Sequence, residues 1–133
     1  MKIFIDTNVL VSAFTARGLC ADLLEVILAD HQLITGEIVL NELERVLIKK
    51  LNVPEKIVSK TLLFLRKHPI EPIPDKPSEV KVRDEDDRWV LESVLRAKAD
   101  ILVTGDKDLL VLSKDITQIK IISPRGFWEI LKE

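Results

Sequence analysis

Short apolar, β-branched runs alternate with longer segments of helical period along the whole chain. That alternation restricts the fold more than any other feature. "KIFI" (2–5), "HQLITG" (31–36), "ILVT" (101–104) and "IKIIS" (119–123) are too short for ordinary helices. Their apolar content is that of strands buried on both faces. Between them the 3.6-residue period predicts helices over 8–14, 20–29, 37–51, 54–67, 86–99, 106–113 and 124–132. Strands separated by helices imply a parallel sheet covered on both sides, an α/β architecture.

Local punctuation agrees with this order. Thr7 or Asn8 offers an N-cap for the first helix, and Gly36 ends the second strand. Pro54 suits the first turn of a helix. "IEPIP" (70–74) can add an edge strand, because its prolines bar it from the sheet centre, and "PIPDKPSE" (72–79) reads as a loop. A chain of 133 residues with 47% hydrophobic content suffices for one domain, 1–133, with a core of its own. Its single cysteine, Cys20, excludes an internal disulfide and suits a reducing compartment. The amino end resembles a secretory leader only until Asp6 and Asn8 break the apolar run, and no run is long enough to span a bilayer. The expectation is a cytoplasmic protein with no membrane partner. A formal charge of −2 excludes a broadly basic nucleic-acid binder but not a local basic patch.

In open parallel sheets the functional crevice lies at the carboxyl ends of the strands, near the point where strand order reverses. Asp6 follows the first strand and Asp106 follows "ILVTG". Helical geometry, at ~100° per residue, selects two more acids. On the helix from Glu37, the apolar face is marked by Val39, Leu43, Val46 and Leu47. Glu42 lies at its flank, while Glu44 points away. On the helix near Asp86, Asp87 projects between Val94 and Leu91, inside the apolar arc, whereas Glu85 and Glu92 do not. A register one residue earlier would give Asp86 this place; the helical direction favours Asp87.

Each acid also has a plain structural explanation: a turn for Asp6, a solvated helix flank for Glu42, a helix-dipole partner for Asp87 and a cap for Asp106. Convergence of all four on one sheet edge is what distinguishes them. Like charges in a crevice must raise each other's pKa or share a cation, and hard divalent ions take oxygen ligands. The other reactive residues offer no comparable pattern. His31 and His68 lack metal-ligand spacing, Cys20 has no catalytic partner, Trp89 and Trp128 suit a core or interface better than a nucleotide-stacking platform, and neither GxGxxG nor a P-loop occurs.

The pieces "IFIDTNVLVSA", "NELERVL", "DEDDRWVLESVLRAKADILVTGDKDLL" and "IISPRGFWEIL" resemble, in this order and over nearly the whole chain, the PIN-domain nucleases, particularly their VapC-like branch. The resemblance implies a three-layer α/β/α fold with a central, mostly parallel sheet and an acidic pocket for Mg²⁺ or Mn²⁺. Carried onto matching positions, its acids are Asp6, Glu42, Asp87 and Asp106, the four that geometry selects. Asp108, Asn8 and Thr104 match supporting polar positions. The resemblance further implies an endoribonuclease leaving 5′-phosphate and 3′-hydroxyl ends. It also implies the role of toxin in a type II toxin–antitoxin pair, a small antitoxin that covers the pocket, and a homodimer.

The mechanism expected from these residues is cleavage of RNA phosphodiester bonds by metal-activated water. Asp6, Asp87 and Asp106 hold the metal, Glu42 orients the water, and no histidine base or covalent nucleophile is needed. Arg17, Arg45, Lys49, Lys107 and Arg125 are the candidates for contact with the RNA backbone. Two rivals belong to other classes. An aspartyl phosphotransferase or receiver-like domain would use Asp6 as nucleophile, but Asn8 stands where a second acid would be expected. A non-catalytic, PIN-like RNA- or protein-binding module would not require acids at all four positions.

Overall fold

The computed structural model describes residues 1–132. Five strands form one sheet: β1 (Lys2–Ile5), β2 (Gln32–Gly36), β3 (Ile70–Glu71), β4 (Ile101–Val103) and β5 (Lys120–Ile122). Their spatial order is β3-β2-β1-β4-β5, and every neighbouring pair is parallel. The chain starts in the middle, builds outward to β3, then crosses to β4 and β5 on the other side of β1. Strand order therefore reverses between β1 and β4, which pair in the register Ile3–Ile101, Phe4–Leu102, Ile5–Val103. Helices complete the three layers: α1 (Thr7–Thr15), α2 (Leu19–Asp30), α3 (Glu37–Arg45), α4 (Glu55–Leu65), α5 (Glu85–Arg96), α6 (Lys107–Leu110) and α7 (Pro124–Leu131).

The core follows the apolar runs. Ile3, Phe4, Leu102 and Val103 are fully buried in the central strands, and Leu10, Leu43, Leu91 and Phe127 bring helices onto them. Burying each such side chain is worth about 1.5–3 kcal/mol. Gly36 ends β2 beneath α5: a Cβ there would meet the Phe4 ring at 3.4 Å and Ser93 on α5 at 3.5 Å, ordinary van der Waals distances.

Several boundaries differ from those predicted. Asp6, not Thr7 or Asn8, caps α1; its Oδ1 accepts from Thr7 N at 2.8 Å. The predicted helix over 37–51 is α-helical only to Arg45 and continues as one wide π turn, Val46–Lys50. Asn52, in the left-handed region at φ 53°, then reverses the chain. Pro54 precedes rather than opens α4: with ψ 139° it is extended, and its carbonyl accepts from Ile57 and Val58 N. The proposed edge strand shrinks to Ile70 and Glu71, because Pro72 and Pro74 end the pairing with β2. The segment after α6 tightens into a 3₁₀ turn, Val111–Lys114.

Candidate metal centre

The reversal of strand order opens a cleft of about 620 Å³ at the carboxyl ends of β1 and β4. Its walls come from the starts of α1 and α6, the middle of α3, the first turns of α5 and the loop carrying Ile73. Six acids line it, Asp6, Glu42, Asp84, Asp86, Asp87 and Asp106, against one base, Arg45.

Asp6 is only 5% exposed. Both of its oxygens are engaged: Oδ1 by Thr7 N, and Oδ2 by the Thr104 hydroxyl at 2.7 Å. Burial pushes its carboxyl up to about 6. The Thr104 and Thr7 hydrogen bonds oppose that rise, and the charges of Glu42 and Asp106 add to it. Thr104 Oγ1 also accepts from Asp106 N at 3.0 Å, so one buried hydroxyl ties the two strand-end acids together. Asp106 caps α6, its Oδ1 accepting from Asp108 N at 2.8 Å. Asn8 spans the same junction, accepting from Gly105 N at 3.1 Å.

Asp87 is the outlier. It is 8% exposed, and its Oδ2 is buried without a hydrogen-bond partner. Burial pushes its carboxyl up to about 8, and Asp106, Asp84 and Asp6 add to the rise. Two ionised carboxylates are both acceptors, so Asp87 and Asp106 can bond to each other only through a shared proton. A cation is the alternative partner. Oxygens of Asp87, Asp106 and Asp108 all lie within 4.8 Å of one another, a hard donor set suited to a divalent ion of the Mg²⁺, Mn²⁺ or Ca²⁺ type.

Of the residues read from sequence, Asp6, Asn8, Glu42, Arg45, Asp87 and Asp106 line this cleft. Glu42 is half-buried at the α3 flank, with its Oε2 facing the Thr7 hydroxyl at 3.4 Å. Asp86 reaches the cleft too but is exposed. Asp108 shares the close oxygen cluster with Asp87 and Asp106, whereas Asp6 stands beside that trio, joined to it through Thr104. Arg17, Lys49, Lys107 and Arg125 are exposed outside the cleft lining, and Arg125 faces Glu129 at 4.0 Å. Trp89, assigned to a core or interface from sequence, is half-exposed and lines the cleft. Its position three residues after Asp86, on the same side of the helix, was the available signal. Asp84, which caps α5 by accepting from Asp86 N, and Asn41 also line the cleft without having been singled out.

Fold and site together define an α/β/α protein whose strand-end crevice gathers carboxylate oxygens around a space suited to a cation. Residues 2–108 match the model of the PIN domain, and the chain belongs to the PIN-domain family. Among solved structures, it is similar to VapBC2 from Rickettsia felis bound to a DNA fragment from its promoter. That match has a TM-score of 0.68 at 20% identity and covers 92% of this chain and 98% of that one. It is also similar to the PIN domain endonuclease Utp24, with a TM-score of 0.50 at 22% identity, covering 92% of this chain and 84% of that one. No curated protein matches the sequence. Among the described residues, no helix is long and apolar enough to cross a membrane.

Proposed function

We propose that this chain, as a single PIN-like domain over 1–133, is a divalent-metal-dependent endoribonuclease. The observation that carries the reading is the buried, partnerless Oδ2 of Asp87 facing two further carboxylates. An arrangement so costly without a counter-ion supports a site that holds one. Asp87, Asp106 and Asp108 would hold Mg²⁺ or Mn²⁺, with Asp6 completing the acidic wall. The cation, when bound, supplies Lewis acidity at the phosphate and a lowered pKa for the attacking water. The chain's own part is positional. Thr104 and Thr7 keep Asp6 in one orientation, and Glu42 at the cleft flank offers Oε2 as a proton acceptor. Arg45 is the cation placed to meet a phosphate of the RNA backbone. An aspartyl phosphotransferase is disfavoured, because both Asp6 oxygens already accept hydrogen bonds.

The likeness to VapBC2 fits a biological role as the toxin of a toxin–antitoxin pair restrained by a small antitoxin; action in the cytoplasm as a homodimer is part of the same proposal and is carried by the family resemblance alone. The decisive experiment is incubation of the purified protein with unstructured RNA, with and without Mg²⁺ or Mn²⁺. Cleavage that appears with the cation, stops on adding EDTA and falls at least ~100-fold in Asp87→Asn supports the reading. Cleavage that persists in EDTA, or in that variant, overturns it.

A further inference from the structure

The Asn8 side chain is engaged at one end only. Its Oδ1 accepts from Gly105 N at 3.1 Å, linking the start of α1 to the turn just past β4. A backbone N–H can bond only the oxygen of an amide, so this contact fixes which end of the side chain is which. Nδ2 is left over, and among the described residues it has no hydrogen-bond partner. A Cβ at Gly105 would stand 3.7 Å from both Oδ1 and Nδ2, so the whole amide lies against that residue. Asn8 is exposed and lines the acidic cleft.

This puts a free donor where Asp6 and Asp106 meet. Asn8 stands two residues after Asp6, and Gly105 directly precedes Asp106. Thr104, on the other side of Gly105, bonds both acids. The remaining donors of the lining stand elsewhere: Asn41 and Arg45 belong to α3 and Trp89 to α5, while the Thr7 hydroxyl faces Glu42. A phosphodiester drawn to a cation in this cleft meets six acids, which offer it only acceptors and repulsion. Its oxygen turned away from the cation needs a donor. A lysine or arginine at this place would pair with Asp6 and Asp106 and compete with the cation for them. An amide donates without competing. An aspartate in place of Asn8 would accept from Gly105 N equally well, so that contact alone does not call for asparagine.

We propose that Asn8 Nδ2 donates to a non-bridging oxygen of the bound phosphodiester, which makes Asn8 a substrate-binding residue and not only a tie between α1 and β4. The inference rests on the nuclease reading of the acids and adds a contact that none of them can make.

The test has two arms. In the first, the ¹⁵N-labelled wild-type protein is titrated with dimethyl phosphate in Mg²⁺ and again in EDTA. The Asn8 side-chain amide signal should shift saturably in Mg²⁺ and not in EDTA. A signal that stays in place in Mg²⁺, or shifts equally in EDTA, overturns the proposal. In the second arm, RNA cleavage is measured at saturating Mg²⁺, which separates this contact from metal affinity. Asn8→Ala should lower kcat/KM roughly ten- to a hundredfold. Asn8→Asp, which keeps the acceptor for Gly105 N and loses the donor, should lose at least as much. A role confined to the Gly105 contact would leave Asn8→Asp active, so cleavage within twofold of the parent in that variant overturns the proposal. The first arm needs no variant, so a poorly folded Asn8→Ala does not shelter it. A shifting amide signal in a wild-type protein that cuts no RNA supports the contact and overturns the nuclease reading. Metal-dependent cleavage with an unmoved amide signal does the reverse.

Discussion

The Thr104 hydroxyl donates to Asp6 Oδ2 at 2.7 Å, joining residues 98 positions apart at the ends of two adjacent strands. Neither partner has an alternative. Thr104 is fully buried and Asp6 nearly so. Because the same hydroxyl accepts from Asp106 N, it also fixes the turn that leads into α6.

Thr104→Val keeps the shape and removes the hydroxyl, leaving an Asp6 oxygen and the Asp106 amide unpaired. Two losses in one buried spot should cost about 1–3 kcal/mol, a melting point lower by several degrees. The Thr104 bond lowers the Asp6 pKa, so its removal raises it, and the acid limb of the pH–rate profile should move upward. Thr104→Ser should retain both properties. A Val variant with the parent melting point and profile would show that Asp6 does not depend on this contact.

The metal-free protein should gain stability as pH falls. Asp87 has a folded pKa raised to about 8 from 3.8, and Asp6 one raised to about 6. A raised pKa means that the folded state binds protons more tightly than the unfolded one. The associated stabilisation is complete below the ordinary carboxylate range and is lost as pH rises through the folded values. Chelated protein should therefore melt higher at pH 5 than at pH 8. Asp87→Asn, whose amide can donate to Asp106, should remove much of that difference by raising the melting point at pH 8, a gain of about 1–3 kcal/mol. Glu37 acts with the opposite sign. Arg66 holds it below its ordinary pKa, so its contribution fades only as pH falls below about 4.5, outside this window. Thermal melts in EDTA at both pH values decide the matter; a wild-type protein more stable at pH 8 refutes the assignment.

Divalent cations should reverse the penalty. Binding to the folded state alone raises stability by about 2.7 kcal/mol at a hundred times Kd. Because the cation displaces protons from carboxyls with raised pKa values, its apparent affinity should increase between pH 6 and pH 8, with protons released on binding. Calorimetry in two buffers of different ionisation enthalpy measures that release directly. Asp87→Asn and Asp108→Asn should each lose most of the melting-point rise caused by Mn²⁺. A rise that survives in both would place the cation elsewhere.

The fold was legible because its strands are buried on both faces, so "KIFI" and "ILVT" carry no competing amphipathic pattern. Asp87 could be separated from Asp86 because one residue turns a helical side chain by ~100°, enough to move it between core and solvent. Features that depend on distant chain segments were not legible. The strand-end rule and helix direction brought Asp6, Asp87 and Asp106 to one edge, but nothing in the sequence announces that the Thr104 hydroxyl bonds both Asp6 and the Asp106 amide. The π turn at Val46–Lys50 has no local marker that we can identify. Trp89, expected in a core or interface, is half-exposed and lines the cleft, a placement that helical spacing alone does not separate from a core position.

Asp106 holds two positions at once, and substitutions can separate them. Its Oδ1 caps α6 by accepting from Asp108 N, while the carboxylate stands in the close oxygen cluster with Asp87. Asparagine caps a helix as well as aspartate does, but brings no negative charge to a cation. Asp106→Asn should thus keep the cap and, because it removes the charge facing Asp87 and Asp6, melt no lower than the parent in EDTA at pH 8 while losing metal-dependent cleavage. Alanine removes both functions, and a lost cap costs about 0.5–2 kcal/mol. Asp106→Ala should therefore lose cleavage and also melt lower by several degrees. Because α6 is one turn long and Leu109 beneath it is fully buried, the damage should reach the packing of α6 against β5. Amide exchange around 107–112 should accelerate in the Ala variant and not in the Asn variant. If both variants melt alike, the cap contributes nothing measurable; if Asp106→Asn cleaves like the parent, Asp106 is not a ligand.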